Sequence, residues 1–224
     1  MGAMKKFLPI VALAALSCCG GGESSRVERV PEEIRRPRVV APRVPDRHPF
    51  GDVTKVRPGQ WATYKEGDRT FTVAAAAAAG DALWIELIEE GDPRLVSARL
   101  VRPDGVVQKA YYGEISKSGM KSTVEPQTLE QDGSTGSAAK ESGREVHEET
   151  VTVAGKELKC RRISIRFEDL EGRLTRDVTL WNKDVPPVYA GSEDGGLVRR
   201  TTATSTVVLT GFGTDAKPLL ELPK

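Results

Sequence analysis

The chain has 224 residues, of which 29% are charged and 38% hydrophobic, and its 33 Lys and Arg face 32 Asp and Glu for a formal net charge of +1. That balance argues against a dedicated nucleic-acid binder, which draws in phosphates with a strongly basic surface. A mean hydropathy of −0.36 excludes a chain threaded repeatedly through a bilayer.

At the front, Lys5 and Lys6 precede a short apolar run over 7–16 (FLPIVALAAL) that stops at Ser17. A helix needs about 20 apolar residues to cross the hydrocarbon layer, and this run is about half as long and is interrupted by Pro9. A positive start, a short apolar middle and small residues behind it predict an export signal over 1–17 that is removed in the mature protein. Ala15-Leu16-Ser17-Cys18 resembles the lipobox of bacterial lipoproteins, in which small residues precede a cysteine that receives a diacylglycerol before cleavage. The resemblance implies a lipid on Cys18, with Cys19 as the fallback acceptor, and therefore a membrane partner engaged through acyl chains. Each buried CH₂ contributes about 0.8 kcal/mol, so a triacylated terminus anchors firmly. The residue after Cys18 is Cys19 and not the Asp that holds enteric lipoproteins at the inner membrane, so the resemblance further implies the outer membrane, facing periplasm or surface. Ala12-Leu13-Ala14 also offers an Ala-x-Ala cleavage site, and its use would leave a secreted or periplasmic protein with neither cysteine lipidated. Gly2 does not fit N-myristoylation, because Lys6 stands where that motif needs Ser or Thr.

From 23 to 58 the composition shifts to Arg, Glu, Val and Pro, with prolines at 31, 37, 42, 45, 49 and 58. Such a segment buries too little to offset its conformational entropy, and repeated Pro removes donors and favours extended backbone. A lipidated N-terminus and disordered Pro/Arg-rich stalk over 18–58 is the expectation. Seven arginines and four acids interleave between 26 and 47, the pattern of a solvated mixed-charge linker, although their excess of positive charge also suits anionic head groups or peptidoglycan. His48 has no ligand partner nearby.

Over 59–217 short apolar alternation is punctuated by Gly, Asp and Pro, and helical spacing is nearly absent. The pattern predicts a mainly β domain: a curved antiparallel sheet or half-barrel of about nine strands, with a β-sandwich as the alternative. Strands over 69–79 and 82–89 flank a Gly80-Asp81 turn, and strands over 95–102 and 106–112 flank Pro103-Asp104-Gly105. The six alanines from Ala74 to Ala79 are too few to nucleate a helix and are read as strand, whose small side chains admit close packing or a groove. The segment 116–143 is long, polar and rich in small residues, which predicts a mobile insertion, a disordered loop in the first place or else a lid, in which 124–131 could form a short helical turn. Three further strands, over 145–153, 157–167 and 174–181, read as a meander. Within the middle one, Leu158 and Cys160 are even whereas Ile163, Ile165 and Phe167 are odd, which predicts a β-bulge at Arg161-Arg162. Strands over 197–202 and 205–212 close the domain, and 218–224 is expected to be an extended tail.

Tests for chemistry come out negative. Gly211-Phe212-Gly213-Thr214-Asp215-Ala216 carries the letters of a dinucleotide loop, but Pro218 follows two residues later and no helix can open there. His48 and His147 are the only histidines, and no Cys-x-x-Cys, His-x-x-x-His or G-x-S-x-G spacing occurs. The acidic pairs Glu148-Glu149, Glu168-Asp169 and Glu193-Asp194 read as opposite faces of strands or as solvated turns, and Cys160, alternating with Leu158, as a buried inert thiol. The sequence therefore predicts no catalytic residue, no cofactor and no metal.

The most distinctive constellation runs from Trp181 through Val185, Pro186 and Pro187 to Gly195, Gly196, Leu197 and Val198, and on to Gly211 and Gly213. Physically, Trp181 covers one end of the sheet, the prolines stop the ladder for want of donors, and Gly195-Gly196 allows a tight return. The run also resembles the C-terminal module of bacterial envelope proteins that are similar, at the level of fold, to the half-barrels of the lipoprotein-localisation carriers LolA and LolB. Anchor, stalk and catalytically empty domain together predict a non-enzymatic, lipid-anchored envelope protein that binds a partner protein or envelope polymer. The alternative expectation is a carrier or sensor of an apolar small molecule or lipid, held in a groove beside Ala74–79.

Overall fold

Alternating apolar and polar residues become strands almost without interruption. The structure, a computed structural model, describes residues 44–45, 53–122, 124–130 and 139–222. The predicted export signal, Cys18, Cys19 and most of the predicted stalk lie outside the described residues. In chain order the strands are β1 (Val44–Pro45), β2 (Trp61–Glu66), β3 (Arg69–Ala79), β4 (Ala82–Glu89), β5 (Arg94–Val101), β6 (Val107–Ile115), β7 (Glu125–Pro126), β8 (Leu129–Glu130), β9 (Lys140–Val153), β10 (Lys156–Glu168), β11 (Leu174–Asn182), β12 (Gly191–Ser192), β13 (Gly195–Thr201) and β14 (Thr206–Gly213). No helix occurs among the described residues.

Twelve of these strands make one antiparallel sheet in the order β7-β6-β5-β4-β3-β2-β14-β13-β11-β10-β9, with β12 beside β13, while β1 and β8 pair separately and in parallel. The sheet is curved but not closed, since β7 and β9 remain its edges. It curls far enough for β9 to touch β14. The last strand lies in the middle, paired to β2 on one side and β13 on the other, so it joins an N-terminal half (β2–β7) to a C-terminal half (β9–β13).

Turn chemistry fixes the hairpins where the sequence placed them. Gly80 and Gly105 take the positive φ their turns need, and Asp104 Oδ1 accepts from Val106 N at 3.2 Å. Between β9 and β10 a two-residue turn forces both Ala154 (φ 48°) and Gly155 (φ 78°) into the left-handed region. The alanine run lies in strand β3 as expected, with Ala74, Ala75 and Ala76 buried.

Each half uses its faces differently. In β4 and β5 the odd residues, such as Ile85, Leu87 and Val101, belong to the larger core with Tyr64, Phe71, Val73 and Ala75. The even residues Trp84, Ile88, Val96, Ala98 and Leu100 form a second core, covered by Ala216, Leu219, Leu220 and Leu222 from beyond β14. The N-terminal half is thus packed on both faces. In β10 only the inner end is core: Leu158 and Cys160 are buried, whereas Lys156, Arg161, Arg166 and Glu168 are exposed.

Five expectations are corrected. No bulge lies at Arg161-Arg162, where β10 keeps regular register with both β9 and β11, and the shift comes at Arg166/Phe167 on the β9 side. The apolar parity changes because the apolar residues move to the other face, leaving the even positions Arg162, Ser164 and Arg166 to a polar network. The domain also begins earlier than residue 59, because Val44, Val53 and Val56 are 1%, 4% and 3% exposed; valines in a Pro-rich stretch still bury where they meet a core. In 124–130 the chain is extended, as β7 and β8, and not a helical turn, since Pro126 cannot supply an internal helical donor. The segment 116–143 is therefore not wholly a loop: β7 pairs with β6, and β9 starts at Lys140. The residues 218–222 are docked on the sheet and do not project as a tail.

Candidate functional site

The Trp181 constellation is assembled at the end of β11. Asn182 closes that strand: its Nδ2 donates to Lys159 O at 2.8 Å, and its Oδ1 accepts from Asp184 N at 2.8 Å. The chain then turns inward, burying Val185 and Pro186, and β13 returns with Gly196 N donating to Val185 O at 2.9 Å. A Cβ on Gly195 would stand 2.1 Å from Asn182 O, and one on Gly196 would stand 2.5 Å from Pro186 O, so only glycine fits at either. Gly195 also has φ +102°. Val188 and Ala190 continue the plug into the core, where the Tyr189 ring lies 4.8 Å from Tyr64 and 5.2 Å from Phe71 between centroids. The Tyr64 hydroxyl donates to Leu197 O at 3.0 Å, and burial pushes its pKa far up, so the phenol stays neutral. Trp181, Val185, Pro186, Gly195 and Gly196 are therefore brought together, as one interlocked corner.

Two clefts flank this corner and share Lys183 and Asp184. One, of about 370 Å³, lies between Pro186, Gly195, Glu193 and the segment holding Lys55 and Gln60. The other, of about 630 Å³, is lined by Trp181 and Asp184 and, over β10, by Glu148, Lys159, Arg161 and Asp194. Trp181 is half-buried, with its indole Nε1 donating to Thr179 Oγ1 at 2.9 Å. Arg161 Nη1 donates to both oxygens of Asp194 at 3.0 and 2.8 Å and lies 3.6 Å from Glu193, and the Asp194 hydrogen bond holds its pKa above the usual guanidinium value. The larger cleft thus combines an aromatic side chain with charges of both signs.

The other candidates have structural roles. Cys160 is a free thiol, 1% exposed, with Sγ donating weakly to Leu158 O, and burial pushes its pKa up. The acidic pairs do not converge on one another. Glu149 meets Arg199 at 2.8 Å and Arg162 at 3.4 Å, while Glu148 faces the cleft from the opposite side of β9. Asp169 organises its own turn, accepting from Arg173 Nε at 2.7 Å, which holds its carboxyl below the usual range. Glu193 and Asp194 both serve Arg161. Gly213 ends β14 against the Trp61 ring, with no helix following. Among the described residues no group of three or more His, Cys, Asp or Glu is placed to hold a metal.

Two ionisable side chains within the sheet, one buried and one half-buried, escaped the sequence reading. Glu86 is 0% exposed and accepts from Leu219 N at 3.1 and 3.0 Å and from Leu220 N at 3.1 Å, fastening the C-terminal segment to β4. Burial raises its pKa, against the two backbone donors and the more distant Lys121, which lower it. Its position within LWIELI, one charge in an apolar strand, was the available signal. The second, Arg99, is half-buried on the opposite face of the same half-sheet, and its Nε is shut off from solvent with no acceptor among the described residues.

Compared with family models, with curated proteins and with solved structures, the chain gives no match.

Proposed function

We propose that the chain is a non-enzymatic, lipid-anchored protein of the bacterial cell envelope, held at the outer membrane by acyl chains on Cys18, or on Cys19, and that its β domain is a binding module. The partner is a protein segment or an envelope polymer, engaged along the cleft beside Trp181. The supporting observation is that cleft: about 630 Å³, open, and lined by Trp181 together with Lys159, Lys183, Glu148 and Glu157. A half-buried aromatic surface offers contact area, and alternating charges hydrogen-bond a polar, extended chain without favouring one sign. The rigid corner of Val185, Pro186, Gly195 and Gly196 holds the cleft wall in place, so little entropy is lost on binding. The short apolar run ahead of Cys18 and the Ala15-Leu16-Ser17-Cys18 motif support the anchor.

Photo-crosslinking in intact envelopes tests the binding reading. A photoreactive residue at position 183 should yield a discrete adduct, and the same residue at position 171, on the far turn of the β10–β11 hairpin, should not. Equal or absent adducts from the two positions would remove the cleft as the binding surface. For the anchor, mass spectrometry of the mature N-terminus should show an acylated cysteine that is lost on Cys18→Ser or moved to Cys19. An unmodified terminus in both proteins would refute it.

A further inference from the structure

On the core face of the N-terminal half, a cavity of about 230 Å³ opens between Leu87 and Glu89 of β4, Leu95 and Arg99 of β5, Arg69 of β3 and Val44 of β1. Ser97 and Tyr112 complete its wall. Among the described residues Arg99 Nε has no hydrogen-bond partner, and burial pulls the guanidinium pKa down. The other charged side chains lining the cavity are Arg69 and Glu89, and these are paired with each other. Among the described lining residues two guanidiniums face one carboxylate, and Glu114, beyond the lining, is held by the Tyr112 hydroxyl, so Arg99 is left without an ion-pair partner.

The hydroxyls nearby are already committed as donors. Ser97 Oγ donates to Gln127 Oε1 at 2.8 Å, and the Tyr112 hydroxyl donates to Glu114 at 3.2 Å. Burial and the neighbouring Glu114 push the Tyr112 pKa up to about 12, so the phenol stays neutral and is no counter-ion for Arg99. What the cavity offers a ligand is therefore the unpaired Arg99 guanidinium beside the apolar side chains of Val44, Leu87 and Leu95. A charged donor that is partly withdrawn from water and has no partner costs more than an ordinary missing hydrogen bond, and a carboxylate matches a guanidinium in both charge and geometry. The volume lies below the ≈ 300–1,000 Å³ usual for drug-sized ligands, which sets the scale of the occupant.

We propose that this cavity binds a small organic monocarboxylate, its carboxylate paired with Arg99 and its short apolar body lying against Val44, Leu87 and Leu95. The inference goes beyond the cleft beside Trp181 and stands without it. The test follows thermal unfolding of the full-length chain during titration with hexanoate, its neutral analogue hexanamide and inorganic phosphate. Hexanoate should raise the midpoint in proportion to the logarithm of its concentration, while hexanamide and phosphate leave it unchanged. Arg99→Met, which keeps the side-chain length and removes the unpaired charge, should unfold at a higher midpoint than the wild type without ligand and should lose the response. Arg99→Lys keeps the charge without the fork and should weaken hexanoate binding by about tenfold or more, a reading that remains if Arg99→Met does not fold. No response in the wild type, an equal response to hexanamide, a larger response to phosphate, or an undiminished response in either variant would overturn the proposal.

Discussion

The two halves of the sheet are made of similar strands and are held in opposite ways. In the N-terminal half, β4 and β5 are covered on both faces, by the larger core on one and by Ala216 to Leu222 on the other, and the buried Glu86 carboxyl group secures the cover by accepting from Leu219 and Leu220 N. In the outer part of the C-terminal half, β9, β10 and β11 carry ion pairs instead: Glu149 with Arg162 and Arg199, Glu145 with Arg166 and Arg176, and Asp177 with Arg200. Apolar burial is non-directional and contributes roughly 25 cal/mol per Å², whereas an exposed ion pair contributes about 0–1 kcal/mol. The N-terminal half should therefore supply most of the stability, while the C-terminal half keeps surfaces that water, or a partner, can reach. The Trp181 corner sits where the two regimes meet.

The largest effect should come from that corner. In Gly196→Ala the new methyl would lie within 3 Å of the backbone of Val185 and Pro186, which no rotamer change relieves. A loss of about 3 kcal/mol or more is expected, measured by the denaturant midpoint. A loss under about 1 kcal/mol would mean that the corner is pliable and that the two halves are not locked through it.

Next comes the cover of the N-terminal half. Leu220 is 3% exposed within the second core, so Leu220→Ala should cost about 2 kcal/mol or more, whereas Leu170→Ala, at a residue 86% exposed on the C-terminal half, should lie within about ±0.5 kcal/mol. Similar costs at the two positions would end the contrast. Hydrogen exchange sharpens it: β4 and β5 amides should exchange only on global unfolding, and outer β9 amides earlier.

Much of this contrast was legible in the sequence, and its limits have physical causes. Hairpin turns announce themselves, because Gly80, Gly105 and Gly155 stand where the backbone needs positive φ. Curvature was also legible, although the bulge expected at Arg161-Arg162 was not found, because a change of parity marks a change of buried face as readily as an added residue. The docking of 216–222 was hidden: three leucines beside two prolines look like a tail until Glu86, more than a hundred positions earlier, supplies the acceptor. For the site, the interlocking of Trp181, Val185, Pro186, Gly195 and Gly196 was readable as architecture. The cleft beside it was not, since Glu148, Lys159 and Asp194 come from separate segments and share no spacing.

A third, pH-dependent effect separates the halves by chemistry. Glu86 has a folded-state pKa raised above the unfolded value near 4.5, with burial as the main cause. Below that pH the group is protonated in both states, so its stabilising contribution is complete. As pH rises through the folded pKa, the unfolded chain releases the proton more readily and stability is lost. Wild type minus Glu86→Gln should therefore show stability falling as pH rises from about 4.5 and levelling once the folded pKa is passed. Asp169 works in the opposite sense: its pKa is lowered, so its contribution is present above the unfolded value of 3.8 and is lost as pH falls below it. A flat difference curve for Glu86→Gln would mean that the two backbone donors already offset burial.

The smallest effect is the most specific to the C-terminal half. Glu145 bridges Arg166 at 2.7 Å and Arg176 at 3.2 Å, and Arg176 Nε also donates to the buried Ser164 at 2.6 Å. Glu145→Gln removes the charge and keeps an acceptor, so the loss should stay below about 1 kcal/mol, because both arginines are about half exposed and water replaces the carboxylate. Salt should reduce that loss further, since a Debye length of about 3 Å at 1 M leaves little of an exposed attraction, whereas the cost of Leu220→Ala should persist. If Glu145→Gln proved as costly as Leu220→Ala and insensitive to salt, the arginine ladder would be a second core made of charge, and the division of the sheet into an apolar half and an ion-paired half would have to be abandoned.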